Sequence, residues 1–177
     1  MISSDCYKDA FEYITKVCNE NKNKKIFGVG FSFGGLLLSR ALGTNPELIP
    51  SNFYAGCGLC YPTCLESTVD YAEIHFNGLY SKTTLANLKK CFMDNLETIF
   101  EKEETTKDRE EMIKKVQNCQ LMSHFDSVYT TWSLGFNHVD EYYEYSKSEK
   151  YLRNIKVPFL SMFCEDDPII PITSVPF

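Results

Sequence analysis

One serine in the chain stands between glycines at a spacing that can do chemistry: Gly30-Phe31-Ser32-Phe33-Gly34-Gly35, a Gly-x-Ser-x-Gly match. A serine hydroxyl is a poor nucleophile at its own pKa and needs a histidine base, which in turn needs an orienting carboxylate. The pattern alone is common by chance. Its weight comes from its setting, after a predicted strand and at the opening of a predicted helix. In so sharp a turn the serine must hold a strained backbone that lifts its hydroxyl above the sheet. Gly30 and Gly34 are then expected to lack side chains because side chains would collide there. The helix that opens at this point aims amide hydrogens at the site, so the Phe33 N–H is the candidate oxyanion donor. The plainer alternative is a glycine-rich strand-to-helix turn with an incidental serine.

The orienting acid should follow a late strand. Val157 to Phe163 is apolar and extended in character, and Cys164-Glu165-Asp166-Asp167-Pro168 follows it, so three carboxylates compete for the role. The base is harder to place. His75, His124 and His138 all lie between the serine and these carboxylates, and each reads as a surface or packing histidine.

The elements that must hold these residues can be read from periodicity. Ser3, Ser4 and Asp5 suit a helix start. Tyr7, Ala10, Phe11, Ile14, Val17 and Cys18 then recur at three- and four-residue steps, which predicts an amphipathic helix ending near Asn21. Lys25 to Phe31 is a predicted strand, Leu36 to Leu42 a helix closed by Gly43, and Phe53 to Leu59 a second, buried strand. Helix, strand, helix, strand is the rhythm of a parallel sheet covered on both faces. The rhythm stops after that. Leu85, Leu88, Phe92, Leu96 and Ile99 predict a long helix from Thr84 to Phe100, and the mixed-charge run Glu101 to Lys115 predicts another with a solvated face. Phe125, Tyr129, Trp132, Phe136, Tyr142, Tyr143 and Tyr145 make an aromatic stretch before the apolar strand returns. The middle, 65–151, reads as a helical insertion in one α/β domain spanning 1–177.

Composition removes several classes. The 177 residues carry 18 Lys plus Arg against 24 Asp plus Glu, a net charge of −6, which argues against a nucleic-acid partner. The longest aliphatic run, Leu36-Leu37-Leu38, is too short to span a bilayer, and the stretch from Met1 to Cys6 does not read as a signal peptide. Eight cysteines in so core-rich a chain read as reduced thiols rather than a disulfide scaffold. Cys57, Cys60 and Cys64 approach a metal spacing but need a fourth ligand, so no metal and no other cofactor is expected.

The series Gly28-Val29-Gly30-Phe31-Ser32-Phe33-Gly34-Gly35, Phe125-Asp126, Gly135-Phe136, Tyr142-Tyr143 with Ser146, Leu152 through Ile155 to Pro158, and Asp166-Asp167-Pro168 resembles subfamily 4 of the AB-hydrolase, α/β-hydrolase-fold proteins. That group includes membrane-bound phospholipases, acylglycerol lipases and YheT-type esterases. The resemblance covers nearly the whole chain. It implies an α/β-hydrolase sheet with a helical cap, of which this chain is an internal segment, and a single-pass membrane anchor upstream. It implies a serine hydrolase acting on lipid esters such as monoacylglycerols or phospholipids at a membrane surface. Ser32 takes the nucleophile position and Asp167, followed by Ile169, Ile170 and Pro171, the acid position, with Asp166 close behind. The base would lie in a Gly-Gly-His segment beyond Phe177. Where the family usually has Pro-Trp-Asp after the second strand, this chain has Pro62-Thr63-Cys64. Phe125, Trp132 and Phe136 are candidates to line an acyl channel under the cap, or else to pack it. The alternative reading is a hydrolase that no longer turns over and serves as a lipid-binding module.

Overall fold

The computed structural model describes residues 3–101 and 106–176. In chain order its elements are α1 (Tyr7–Glu20), β1 (Ile26–Phe31), α2 (Phe33–Thr44), β2 (Phe53–Leu59), α3 (Leu65–Ile74), α4 (Leu79–Asp94), α5 (Leu96–Ile99), α6 (Thr106–Asn118), α7 (Met122–Phe125), α8 (Thr131–Leu134), α9 (Val139–Ser146), α10 (Glu149–Leu152) and β3 (Phe159–Met162). They fall into two compact units, one made of residues up to Thr68 and from Ser146 onward, the other of Val69–Tyr145.

The first unit is a three-stranded parallel sheet in the order β1-β2-β3, with flanking helices. Its register sets Phe31 beside Leu59 and Leu59 beside Met162, so the three strands end level with one another. Cys18 of α1, Leu38 and Leu42 of α2 and Phe53 of β2 form the buried core, with Ile14, Ile26, Val157 and Phe159 packed against it. Asn52 ties α1 to the sheet, because its side-chain amide donates to the carbonyls of Cys18 (2.9 Å) and Asn21 (3.1 Å) at the helix end, each of which also accepts a backbone N–H.

Three details differ from the pattern-based expectation. The second helix begins at Phe33 rather than Leu36, and Gly43 lies inside it rather than closing it. A Cβ on Gly43 would sit 2.1 Å from the Tyr151 carbonyl oxygen, so this glycine serves a close approach of backbone, not a helix end. The sheet is covered on one face. On the other, Phe27, Val29, Phe31, Leu160 and Met162 are all more than half exposed, and Cys57 of β2 is only half-buried. The third strand is shorter than Val157–Phe163, and Pro158 ahead of it contributes only its carbonyl, accepting from the Gly56 N–H.

The second unit is helical. Leu85, Phe92, Phe100, Met112, Val116, Cys119, Phe125 and Tyr129 make its core. The expected long helix starts earlier, at Leu79, and breaks at Asn95, whose non-helical backbone separates α4 from α5. The charged run is helical from Thr106; its residues 102–105 lie outside the described residues. Between α7 and α8 the backbone widens into a five-residue π turn, Asp126–Thr130, and Gly135 in the left-handed region ends α8. Among the described residues, no helix is long and apolar enough to cross a membrane.

Candidate functional site

The level strand ends of the first unit make the site. In a parallel sheet the carboxyl ends of the strands point at one crevice, where ligands bind. Ser32 is the residue after β1 and the residue before α2. Its φ of 48° and ψ of −127° are unusual for a residue with a side chain. The conformation is held from both sides: the Ser32 N–H donates to the Leu59 carbonyl (2.9 Å), and the Ser32 carbonyl accepts from the Gly35 N–H (2.9 Å). The side chain is left exposed at the turn.

The two motif glycines do different things. A Cβ on Gly30 would lie 2.4 Å from the Gly34 carbonyl oxygen, so β1 and the first turn of α2 touch backbone to backbone there. A Cβ on Gly34 would meet nothing within 4 Å. The expectation that both avoid a collision is therefore corrected for Gly34, which faces open space because the strand packs against the helix on the opposite side. Phe33 is the first residue of α2, so its N–H is one of the amides that a helix leaves without an internal partner. It adjoins the serine, as an oxyanion donor must.

Asp167 lies in the loop after β3. Its Oδ1 accepts from the N–H groups of Ile169 (2.8 Å) and Ile170 (2.9 Å), and its own N–H donates to the Cys164 carbonyl (3.3 Å). One carboxylate oxygen is thus fixed by the loop backbone, and the group's direction with it. Ser32 and Asp167 line the same cavity, of about 520 Å³, together with Phe31, Leu59, Met162, Phe163, Ile169 and Ile170. Asp166 is exposed and is not among the lining residues, nor is Glu165. The walls are mainly apolar, which suits an acyl chain better than a charged ligand.

The remaining candidates are placed elsewhere. Phe125 is buried in the helical core, edge-on to Tyr129. Trp132 is 40% exposed, packs on Phe100 and Tyr129, and borders a small polar cavity of the helical unit beside Asp108, Glu111 and Lys115. Phe136 packs between Tyr142 and Tyr145. All three belong to the packing of the helical unit, whereas the Ser32 cavity is lined wholly from the sheet unit. The histidines follow the same division. His75 stacks on Tyr71 (3.7 Å) and its Nδ1 bonds the Tyr71 carbonyl, while His124 and His138 are exposed.

Two cysteines that sequence reasoning weighed only as metal ligands or isolated thiols belong to the cavity. Cys60 follows β2 as Ser32 follows β1, with φ of 41°, and Cys164 lies in the loop after β3; their sulfurs are 3.6 Å apart. The available signal was positional: Cys60 is the first residue past a predicted strand. Burial, with a smaller effect from the neighbouring Cys164, pushes the Cys60 thiol up from its ordinary pKa. Among the described residues no group of three or more His, Cys, Asp or Glu converges as a metal site would require.

The helical unit has its own polar feature. Asp126, at the head of the π turn, accepts from the Thr130 hydroxyl (2.7 Å) and the Tyr143 hydroxyl (3.0 Å). Burial raises its carboxyl from 3.8 to about 6, against the opposing pull of these two hydrogen bonds.

Comparison with known proteins agrees with the fold. The chain is 28% identical over 177 residues to an abhydrolase domain-containing protein of Dictyostelium discoideum, covering 99% of this chain and 42% of that protein. It is 25% identical over 150 residues to a monoacylglycerol lipase of Saccharomyces cerevisiae (84% and 32%). It is 25% identical over 177 residues to a medium-chain fatty acid ethyl ester synthase/esterase of the same yeast (92% and 39%). The chain thus spans less than half the length of these curated relatives. No family model matches it, and no solved structure does. The parallel sheet with its strand-to-helix serine turn, taken with these relatives, relates the chain to the α/β-hydrolase superfamily.

Proposed function

We propose that the chain carries the nucleophile and acid of a serine carboxylic-ester hydrolase acting on lipid esters. The observation that carries this reading is the strained Ser32 at the β1–α2 junction, sharing an apolar cavity with a carboxylate whose direction its own loop fixes. A strained non-glycine residue costs stability of order 1–3 kcal/mol, and such residues cluster at functional sites.

In this reading the Ser32 hydroxyl oxygen attacks the ester carbonyl carbon while a histidine takes its proton. The Phe33 N–H holds the developing oxyanion. The histidine then protonates the departing alcohol, leaving an acyl group on Ser32, which water removes by the same steps. Asp167 orients that histidine, which the reading places in a segment beyond Phe177. The names of two relatives, a monoacylglycerol lipase and an ethyl ester synthase/esterase, support lipid and fatty-acyl esters as the substrate class. Presentation of the substrate at a membrane surface belongs to the same proposal and rests on the resemblance of the motif series. The helical stretch within 65–151 is proposed as the counterpart of the cap insertion that the motif resemblance implies.

A fluorophosphonate reacts with a serine only when a base has activated it, so it tests the reading directly. In the full-length protein the probe should label Ser32, and Ser32→Ala should abolish the label. A full-length protein that binds monoacylglycerol but leaves Ser32 unlabelled would replace the enzyme with the second reading, a lipid-binding module.

A further inference from the structure

We propose that Cys60 and Cys164 are a redox pair that closes into a reversible disulfide at the wall of the Ser32 cavity. The inference stands on the placement of the two thiols and does not use the ester-hydrolase reading.

Both residues line the cavity, and the Cys60 thiol donates to the Cys164 sulfur across 3.6 Å. A disulfide needs sulfurs about 2.05 Å apart on neighbouring chain segments, and these two sulfurs are already in contact. The backbone supplies those segments. Leu59 and Met162 are parallel partners, and the Cys60 N–H donates to the Met162 carbonyl at 2.8 Å. Cys60 therefore runs alongside the chain that leads directly into Cys164.

The two thiols are unequal. Cys164 is exposed, and Cys60 is half-buried with its pKa pushed up, which makes it slow to ionise and a poor first nucleophile. Cys164 thus meets the oxidant and Cys60 resolves the product. With hydrogen peroxide, the Cys164 thiolate attacks one oxygen; an S–O bond forms, the O–O bond breaks, and hydroxide leaves to become water. The Cys60 sulfur, giving up its proton, then attacks the Cys164 sulfur. The S–S bond forms, the S–O bond breaks, and a second water leaves. In sum, two thiols and one peroxide give one disulfide and two waters, and a dithiol reductant reverses the result by exchange.

The bond would tie the end of β2 to the loop that fixes Asp167, because the Cys164 carbonyl accepts the Asp167 N–H. Oxidation would then change the cavity wall while leaving Ser32 and Asp167 chemically intact.

The test uses the purified, fully reduced protein, treated with a few equivalents of hydrogen peroxide, alkylated, digested and read by mass spectrometry. The expected product is a Cys60–Cys164 peptide pair, two hydrogens lighter than the separate peptides and released by dithiothreitol. In Cys60→Ser, dimedone should trap a persistent sulfenic acid on Cys164. In Cys164→Ser, Cys60 should stay reduced at the same dose. Oxidation that leaves Cys60 alkylated while Cys164 advances to sulfinic acid, or that links either residue mainly to another cysteine, would overturn the proposal. Labelling of Ser32 by a fluorophosphonate, run on reduced samples, reports on the hydrolase reading separately.

Discussion

The two units of this chain are constrained in different ways. In the sheet unit the backbone sets the limits: Ser32 and Cys60 both have positive φ at successive strand ends, and Gly30 and Gly43 let main chains touch. In the helical unit the side chains set them. Phe92 meets Phe100 and Tyr129 edge-on, Phe125 meets Tyr129, and a carboxylate is held by two hydroxyls at a π turn. Backbone constraint fixes the position of a hydroxyl closely, which chemistry needs, whereas aromatic packing tolerates repacking. The candidate site lies in the first kind of structure.

The largest effect should come from the sheet unit and leave the fold alone. Ser32→Ala or Asp167→Asn in the full-length protein is expected to lower ester turnover by roughly 10³-fold or more, since triad members act together. The side-chain amide introduced by Asp167→Asn keeps an acceptor oxygen for the Ile169 and Ile170 N–H groups, so that variant's thermal midpoint should stay near the parent's. Asp166→Asn, on an exposed carboxylate off the cavity, should do nothing. Equal loss from the two aspartates would show that the loop has been misread. The 177 residues alone should hydrolyse nitrophenyl esters no faster than their own Ser32→Ala variant, because none of their histidines lines the cavity.

Next in size is Phe92→Ala, which removes a ring 2% exposed from the centre of the helical core. Truncating such a ring typically costs about 3–5 kcal/mol. Urea unfolding measures it. If the two units are limited as described, the loss should appear as a lower midpoint with helical signal affected first. A variant of parental stability would mean that the aromatic cluster carries little of the unit's stability.

Asp126 gives a prediction with a sign. Its folded pKa of about 6 lies above the ordinary 3.8, so the fold prefers the protonated form. The stability this contributes is complete below pH 3.8 and is lost as pH rises through 6. A shift of that size corresponds to at most about 3 kcal/mol. Comparing the parent with Asp126→Asn isolates the effect from other carboxylates. The difference in urea midpoint should move in favour of the variant as pH rises from below the ordinary value to above the folded one, and parallel pH profiles would remove Asp126 from the account.

Much of this was legible from sequence where one physical signal dominates. The face made by Tyr7, Phe11, Ile14 and Cys18 fixed α1, and the glycine-flanked Ser32 between a β-rich run and a leucine run fixed the turn. What escaped depends on partners distant in sequence. Gly43 looks like a helix end because glycine usually is one there; only the Tyr151 carbonyl, far along the chain, explains it. The alternation in Phe27, Val29 and Phe31 says that two faces differ, not that the apolar one is left exposed. Cys60 was read beside Cys57 and Cys64, its sequence neighbours, when its partner is Cys164 across the strand ends. Of the three carboxylates after β3, the Ile169-Ile170-Pro171 turn favours Asp167 with Asp166 close behind, but only the folded loop shows which of them lines the cavity with Ser32.

The smallest effect tests the glycine argument at its own motif. Gly30 and Gly34 are equivalent in the Gly-x-Ser-x-Gly pattern, yet the structure separates them. Alanine at 30 would drive a methyl to 2.4 Å from the Gly34 carbonyl oxygen, backbone that cannot swing aside, and overpacking of this kind costs about 1–3 kcal/mol or more. Alanine at 34 meets open space, and Gly34 is the second residue of α2 at a backbone conformation open to any residue. Replacing glycine in a helix by alanine is worth up to ~1 kcal/mol, less near the helix start, where fewer bonds are fixed. Gly34→Ala should therefore raise the thermal midpoint slightly or leave it unchanged, while Gly30→Ala lowers it. A Gly34→Ala protein as unstable as Gly30→Ala would mean that the turn is tighter around Ser32 than the approach of β1 to α2 allows for. The same variant read by fluorophosphonate labelling then separates room for the fold from room for the substrate: a stable Gly34→Ala protein that no longer labels would show that the open space beside Gly34 is where the ester lies.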